Sequence, residues 1–208
     1  MIKVILFDFD GVIIDSMSVR DEGFRLIAKK STNSKQIIND FIKYHRYNAG
    51  LSRFVKIRYL YENMLNKSIS EEEIKKFAEE FSTLMKSKLT NKSVLIDETI
   101  DFIKSTVSKN IYLHIVSGSE EKELNFLCDK LDLSQYFITI EGSPTHKNNL
   151  VKNIIKKYNY NPEEVILIGD SINDYNAASS NGLKFYGFNN KILKEKDQYI
   201  DTFSNFKV

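Results

Sequence analysis

Four aspartates, one serine and one lysine stand where short apolar runs end, and side chains of these types could together transfer a phosphoryl group. Asp8 and Asp10 follow Val4-Ile5-Leu6-Phe7 in the stretch Asp8-Phe9-Asp10-Gly11, and Ser117 follows Ile111 to Val116. Lys147 closes Gly142-Ser143-Pro144-Thr145-His146-Lys147 after Phe137 to Ile140. Asp170 and Asp174 lie in Gly169-Asp170-Ser171-Ile172-Asn173-Asp174 after Val165 to Ile168. Such a cluster of acids repels itself unless a divalent cation neutralises it, and all-oxygen ligands suit a hard ion such as Mg²⁺. A carboxylate can also attack phosphorus to form an acyl phosphate, while a nearby lysine screens its charge. Phosphoryl transfer demands charge neutralisation and positioning more than unusual chemical groups.

The elements that must position these residues follow from hydrophobic period. The four apolar runs read as strands buried on both faces of a parallel sheet. Leu183 to Phe188 is a weaker fifth strand, interrupted by Lys184 and Gly187. Thr99 to Val107, Glu120 to Leu131 and Asn148 to Tyr158 carry apolar residues at helical spacing between the strands. This alternation predicts a doubly wound, mainly parallel, Rossmann-like α/β sheet, whose ligands bind beyond the carboxyl ends of the strands. The alternation breaks once. From about Ser16 to Lys92 only helix-like segments occur: Gly23 to Ala28, Ile37 to Tyr47, Ser52 to Leu65 and Glu71 to Met85, the last opened by a Ser70/Glu73 capping box. A parallel crossover needs only about a dozen residues, so the length predicts an inserted α-helical subdomain over 16–92, with 1–15 and 93–208 forming the core.

Composition removes other classes. Of 208 residues 42% are hydrophobic and 28% charged, with 8 Gly and 2 Pro, which provides for a globular core and excludes a disordered chain. A net charge of +2 does not mark a nucleic-acid binder. The lone Cys128 excludes an intramolecular disulfide or a multi-thiolate zinc site, and His45, His114 and His146 form no ligand pair at helical spacing. No apolar run approaches the roughly 20 residues that span a bilayer. The N-terminal run meets Asp8 and Asp10 too soon for a signal peptide, so the expected location is cytoplasmic.

Order, spacing and strand context together resemble the haloacid dehalogenase superfamily, in its Mg²⁺-dependent phosphatase branch related to phosphoglycolate phosphatase and β-phosphoglucomutase. The motifs that carry the likeness are Asp8-Phe9-Asp10-Gly11-Val12, Ser117, Lys147 and Gly169 to Asp174. The resemblance implies that Asp8 is the nucleophile, and that Asp10 protonates the leaving oxygen and then activates water. Ser117 would hold the phosphoryl oxygens with the backbone N–H groups of Phe9 and Gly118, and Lys147 would hold Asp8 and the phosphate together. Mg²⁺ would bind Asp8, the backbone carbonyl of Asp10 and Asp170, with Asp174 orienting the metal's waters or Lys147 from behind.

The inserted helices match the place of this family's helical cap, whose inner loop reads the non-phosphate part of a substrate. His45, Arg46, Gly50, Arg53 and Lys56 are the candidates there, with Gly50 as a helix break and Ser52 as the next N-cap. Six Lys or Arg stand between Lys43 and Lys67 against one acid, Glu62. The expected activity is hydrolysis of a small phosphorylated metabolite, a sugar, polyol or amino-alcohol phosphate, by a monomer or small homo-oligomer that uses neither nucleic acid nor membrane. A sugar phosphomutase on the same scaffold is the alternative, and a non-catalytic phosphate-binding protein is a third. A dehalogenase would need neither Asp10 nor the acidic fourth motif.

Overall fold

The computed structural model describes residues 1–208. Strand β1 (Val4–Phe7) has all four side chains buried, as a strand covered on both faces requires. It pairs in parallel with β2 (Tyr112–Glu120) on one side and β4 (Val165–Gly169) on the other. With β3 (Thr139–Ser143), β5 (Lys184–Phe188) and β6 (Gln198–Ile200) the sheet is six-stranded and entirely parallel, in the order β3-β2-β1-β4-β5-β6. The chain leaves β1 for β2 and β3, then returns to β1's other side at β4, so the topological switch lies between β1 and β4. An α/β sheet opens a crevice there, beyond the carboxyl ends of its strands. Strand β6 was not anticipated, because three residues are too few to show a period.

Helices α5 (Asp97–Val107), α6 (Glu121–Lys130), α7 (Lys147–Tyr158) and α8 (Ile172–Ser180) flank the sheet. Four others, α1 (Met17–Ser31), α2 (Lys35–Tyr47), α3 (Arg53–Tyr59) and α4 (Glu71–Lys88), fall between β1 and α5. In α2 the buried residues Ile38, Phe41, Ile42 and His45 lie on one helix face, and in α4 so do Ile74, Ala78, Phe81 and Met85. Both faces close on Phe24 of α1, whose ring centroid lies 5.7 Å from that of Phe41 and 4.5 Å from that of Phe81. Burying each such side chain contributes about 1.5–3 kcal/mol. Ser70 and Glu73 form the reciprocal capping box at the start of α4. The single helix expected over Ser52 to Leu65 is instead α3 followed by a π-helical turn at Leu60–Met64.

The two passages between the sheet and these helices run side by side. Asp15 N–H donates to Val94 O at 2.8 Å and Ile96 N–H to Ile13 O at 3.0 Å. The apolar core continues through this junction, from Phe7 and Phe102 to Phe24, Phe41 and Phe81, while a smaller cluster around Leu6, Leu150, Leu167 and Phe185 fills the sheet's other face.

Candidate active site

Parallel register sets the site. Phe7 lies level with Ile168, so Asp8 and Asp170 emerge from neighbouring strand ends at the switch point. The chain then turns sharply at Gly11, whose φ of +77° is open to glycine at little strain and whose added Cβ would fall 2.0 Å from Asp170 Oδ2. Asn190 Nδ2 donates to Asp170 O at 2.8 Å and Asn189 Nδ2 to Gly11 O at 3.1 Å, tying both turns to the end of β5. On the other side, β2–β3 pairing shifts register between Val116 and Glu120. The irregularity falls on Ser117 to Ser119, which line the crevice.

Lys147, the first residue of α7, reaches back under the sheet end. Its Nζ lies 2.8 Å from Asp8 Oδ1 and also contacts Asp174 Oδ1, with all three side chains buried. Asp174 Oδ2 accepts from Ser171 N–H at 2.9 Å and Ser171 Oγ at 2.6 Å, so both of its oxygens are occupied. Phe9 N–H points at Asp8 Oδ1 from 2.8 Å. Burial, reinforced by Asp174 and opposed by Lys147, pushes the Asp8 carboxyl up to about 7. Burial and the neighbouring Asp8 hold Asp170 well above the usual carboxylate range, and the two acidic partners hold Lys147 above the usual ammonium range despite its burial.

Asp10 behaves differently. Burial alone would raise it, but Arg20, Ser119 and Ser16 hold it below its ordinary value. Arg20 Nε donates to Oδ1 at 2.9 Å, Ser119 Oγ to Oδ2 at 2.6 Å, and Ser16 Oγ also reaches Oδ1. Arg20, Ser16 and Ser119 were not among the sequence candidates. Ser119 was accessible to strand alternation, which places it on the face of Ser117, whereas no local signal joins Arg20 to Asp10.

The donor set fits a cation. Oxygens of Asp8, Asp170 and Asp174 lie within 4.8 Å of one another. Asp170 Oδ1 is buried with no hydrogen-bond partner, a state that a bound cation would relieve.

Asp8, Asp10, Ser117, Gly118 and Asp170 line one cavity with His45, Gly50, Arg53 and Lys56. Lys147, Asp174 and Phe9 lie behind its wall. The helices close on the sheet at two glycines, where a Cβ on Gly118 would lie 2.4 Å from Gly50 O. Lys56 Nζ rests 3.0 Å from both His45 Nδ1 and Ala49 O. Burial pushes Lys56 down to about 7 and His45 down to about 2. The neutral His45 therefore makes no ion pair with Asp21, 3.6 Å away. Arg46 does not come to the cavity. Its side chain is 63% exposed and turned onto Asp21.

A family model described as haloacid dehalogenase-like hydrolase matches residues 5–188. This chain belongs to that family. It is 27% identical over 193 residues to a phosphorylated carbohydrates phosphatase of Thermotoga maritima, covering 89% of this chain and 84% of that one. It is 22% identical over 198 residues to a phosphoglycolate phosphatase of Vibrio vulnificus, covering 89% and 83%. Its fold matches a crystal structure of β-phosphoglucomutase from Clostridium difficile with a TM-score of 0.83 at 23% identity, over 100% of this chain and 94% of that one. The enzyme is thus an HAD-like hydrolase on an α/β Rossmann-like sheet, and none of its helices is long and apolar enough to cross a membrane.

The acidic pair makes stability depend on pH in the metal-free enzyme. The folded state keeps a proton on Asp8 up to about 7 and on Asp170 well above 3.8, whereas the unfolded chain releases both near 3.8. Stability is full below the unfolded value and falls as the pH climbs through the folded one, by a few kcal/mol at about 1.4 kcal/mol per unit. Thermal unfolding in chelator should show Tm declining from about pH 5 to 7. Added Mg²⁺ should restore most at the upper end, and a flat Tm indifferent to Mg²⁺ would contradict this electrostatic account.

Proposed function

We propose that the enzyme is a Mg²⁺-dependent phosphomonoester hydrolase of a small phosphorylated carbohydrate or related polyol or amino-alcohol phosphate, working through an aspartyl phosphate. The observation that carries this reading is Asp8 held 2.8 Å from Lys147 at the switch point, beside the unpartnered carboxylate oxygen of Asp170. The relatives named as a phosphorylated carbohydrates phosphatase and a phosphoglycolate phosphatase support it.

Asp8 attacks phosphorus while Asp10, ionised in the free enzyme and protonated by the incoming phosphate monoanion, gives that proton to the leaving oxygen, so that alcohol departs and the aspartyl phosphate remains. Asp10, now a carboxylate held by Arg20, Ser16 and Ser119, takes a proton from water. That water's oxygen attacks phosphorus and releases Asp8. Lys147 keeps Asp8 oriented and offsets the phosphoryl charge, and Ser117 with the N–H groups of Phe9 and Gly118 holds the phosphoryl oxygens. Asp8, Asp170 and the Asp10 carbonyl would hold Mg²⁺, with Asp174 steadying Lys147 from behind. The ion, when bound, neutralises charge shared by the carboxylates and the phosphate.

Residues 16–92 act as a cap over a core formed by 1–15 and 93–208, and His45, Gly50, Arg53 and Lys56 face the organic part of the substrate. Arg46 stays outside this set. The charged and polar lining of this cavity suits a small phosphorylated metabolite, and the expected setting is cytoplasmic. Phosphate release from a panel of sugar, polyol, amino-alcohol and nucleotide monophosphates, with Mg²⁺ and with chelator, tests the reading. One small phosphate should stand far above the rest and lose its turnover in chelator. Turnover indifferent to chelator would overturn the metal assignment, and isomerisation of a sugar phosphate without net release would make the enzyme a mutase.

A further inference from the structure

Glu123, near the start of α6, is a fully buried carboxylate that the proposed reaction does not use. Its Oε1 accepts from Arg20 Nη1 at 2.6 Å and its Oε2 from Arg53 Nη1 at 2.6 Å. The two arginines come from α1 and α3, and both guanidinium groups lie over the Phe81 ring of α4, at 5.8 Å and 4.6 Å from its centroid. Arg20 then spends Nε on Asp10 Oδ1. A continuous chain of charge-assisted hydrogen bonds therefore runs Arg53–Glu123–Arg20–Asp10, with Arg53 on the inserted helices and Glu123 and Asp10 on the sheet side. Buried ion triads of this kind are poor stabilisers, since apolar residues of equal volume often serve as well or better, and here Arg20 Nη2 and Arg53 Nε are buried without partners; what the network fixes is Glu123, whose two oxygens are each held by one arginine.

We propose that Glu123 is a positioning residue for the hydrolysis. It anchors Arg20 through Nη1, so that Nε–H meets Asp10 Oδ1 while Nη2 is left without a partner, and Arg53 locks Glu123 in place only while the inserted helices sit on the sheet. Without the carboxylate, Arg20 either turns its whole fork onto Asp10, in the two-pronged manner arginine favours, or drifts away. In both cases Asp10 no longer presents its proton correctly to the leaving oxygen. The proposal rests on the reading of Asp10 as proton donor, and its test separates the two.

The experiment uses phenyl phosphates of one shape and graded leaving-group acidity, read as kcat/KM, which covers the steps through departure of the phenol. Phenol needs a donated proton and 4-nitrophenol scarcely does. A positioned general acid contributes roughly 10²–10⁴-fold. Glu123→Gln, nearly isosteric, should lower kcat/KM on phenyl phosphate by on the order of 10–100-fold but on 4-nitrophenyl phosphate by no more than about 3-fold, steepening the dependence on leaving group. Asp10→Asn should steepen it at least as much. A uniform loss, or none, in Glu123→Gln beside a steepened Asp10→Asn would overturn the positioning role alone. An Asp10→Asn slope equal to wild type would bring down the donor reading and this proposal with it.

A second comparison tests the series arrangement through the leaving-group slope, a ratio that is unaffected by the fraction of active enzyme. Arg20→Met and Arg20→Met/Glu123→Gln should show the same leaving-group slope, because Glu123 acts through Arg20. Further steepening in the double variant would overturn the series arrangement.

Discussion

Asp8→Asn should abolish phosphate release and leave no phosphoenzyme in acid-quenched samples, a loss of at least roughly 10³-fold in kcat. The amide keeps the volume and the contact with Phe9 N–H but supplies no nucleophilic oxygen. Folding should not suffer. The wild-type carboxylate is buried and raised to about 7, so its neutral replacement removes a strained charge, and Lys147 retains Asp174. In chelator the Asn variant should accordingly match or exceed the wild-type Tm at neutral pH, with a shallower decline between about pH 5 and 7. Measurable burst phosphorylation of Asp8→Asn would mean that another group attacks phosphorus, and the assignment of the nucleophile would fall.

Lys147→Met should be the most destabilising change in the site. Lys147 is buried between two carboxylates, and removing it leaves Asp8 and Asp174 facing each other without a cation. Breaking a buried pair on one side costs about 3–5 kcal/mol, measurable as a lower urea midpoint with an unchanged slope. Activity should be lost as well. The two effects can be separated. Lys147→Met/Asp174→Asn removes the uncompensated charge and should regain most of the stability while staying inactive, since the amide can still accept from Ser171 N–H but nothing screens the phosphate. A double variant as unstable as the single one would show that Lys147 stabilises through its packed stem and not its charge.

Both predictions concern residues visible in the sequence, because β1 and β4 announce themselves. Val4–Phe7 and Val165–Gly169 are unbroken apolar runs, and such strands place whatever follows them at the carboxyl edge of the sheet. The spacing of Asp8, Ser117, Lys147 and Asp170 along the chain was enough to bring them together once the sheet was parallel. Helix starts were legible for the same local reason: the Ser70 capping box and the Ser52 N-cap are bonds between residues three apart. Strand β6 and the π-helical turn at Leu60–Met64 carry no comparable local signal.

The sequence by itself therefore determined five of the sheet's six strands, the helical insertion, the family and the positions of the acidic and basic residues at the strand ends, since all of these rest on short-range period and on order along the chain. Tertiary structure decided which charges meet. Arg46 and Arg53 look equivalent in a basic stretch, yet Arg46 turns outward onto Asp21 while Arg53 is buried on Glu123. Glu123 lies 103 residues from Arg20 and 70 from Arg53 along the chain, and only the tertiary approach of α1, α3 and α6 closes those distances. A buried ion pair is fixed by the approach of whole elements and by the need to satisfy each desolvated charge, and neither quantity has a period that a sequence can display.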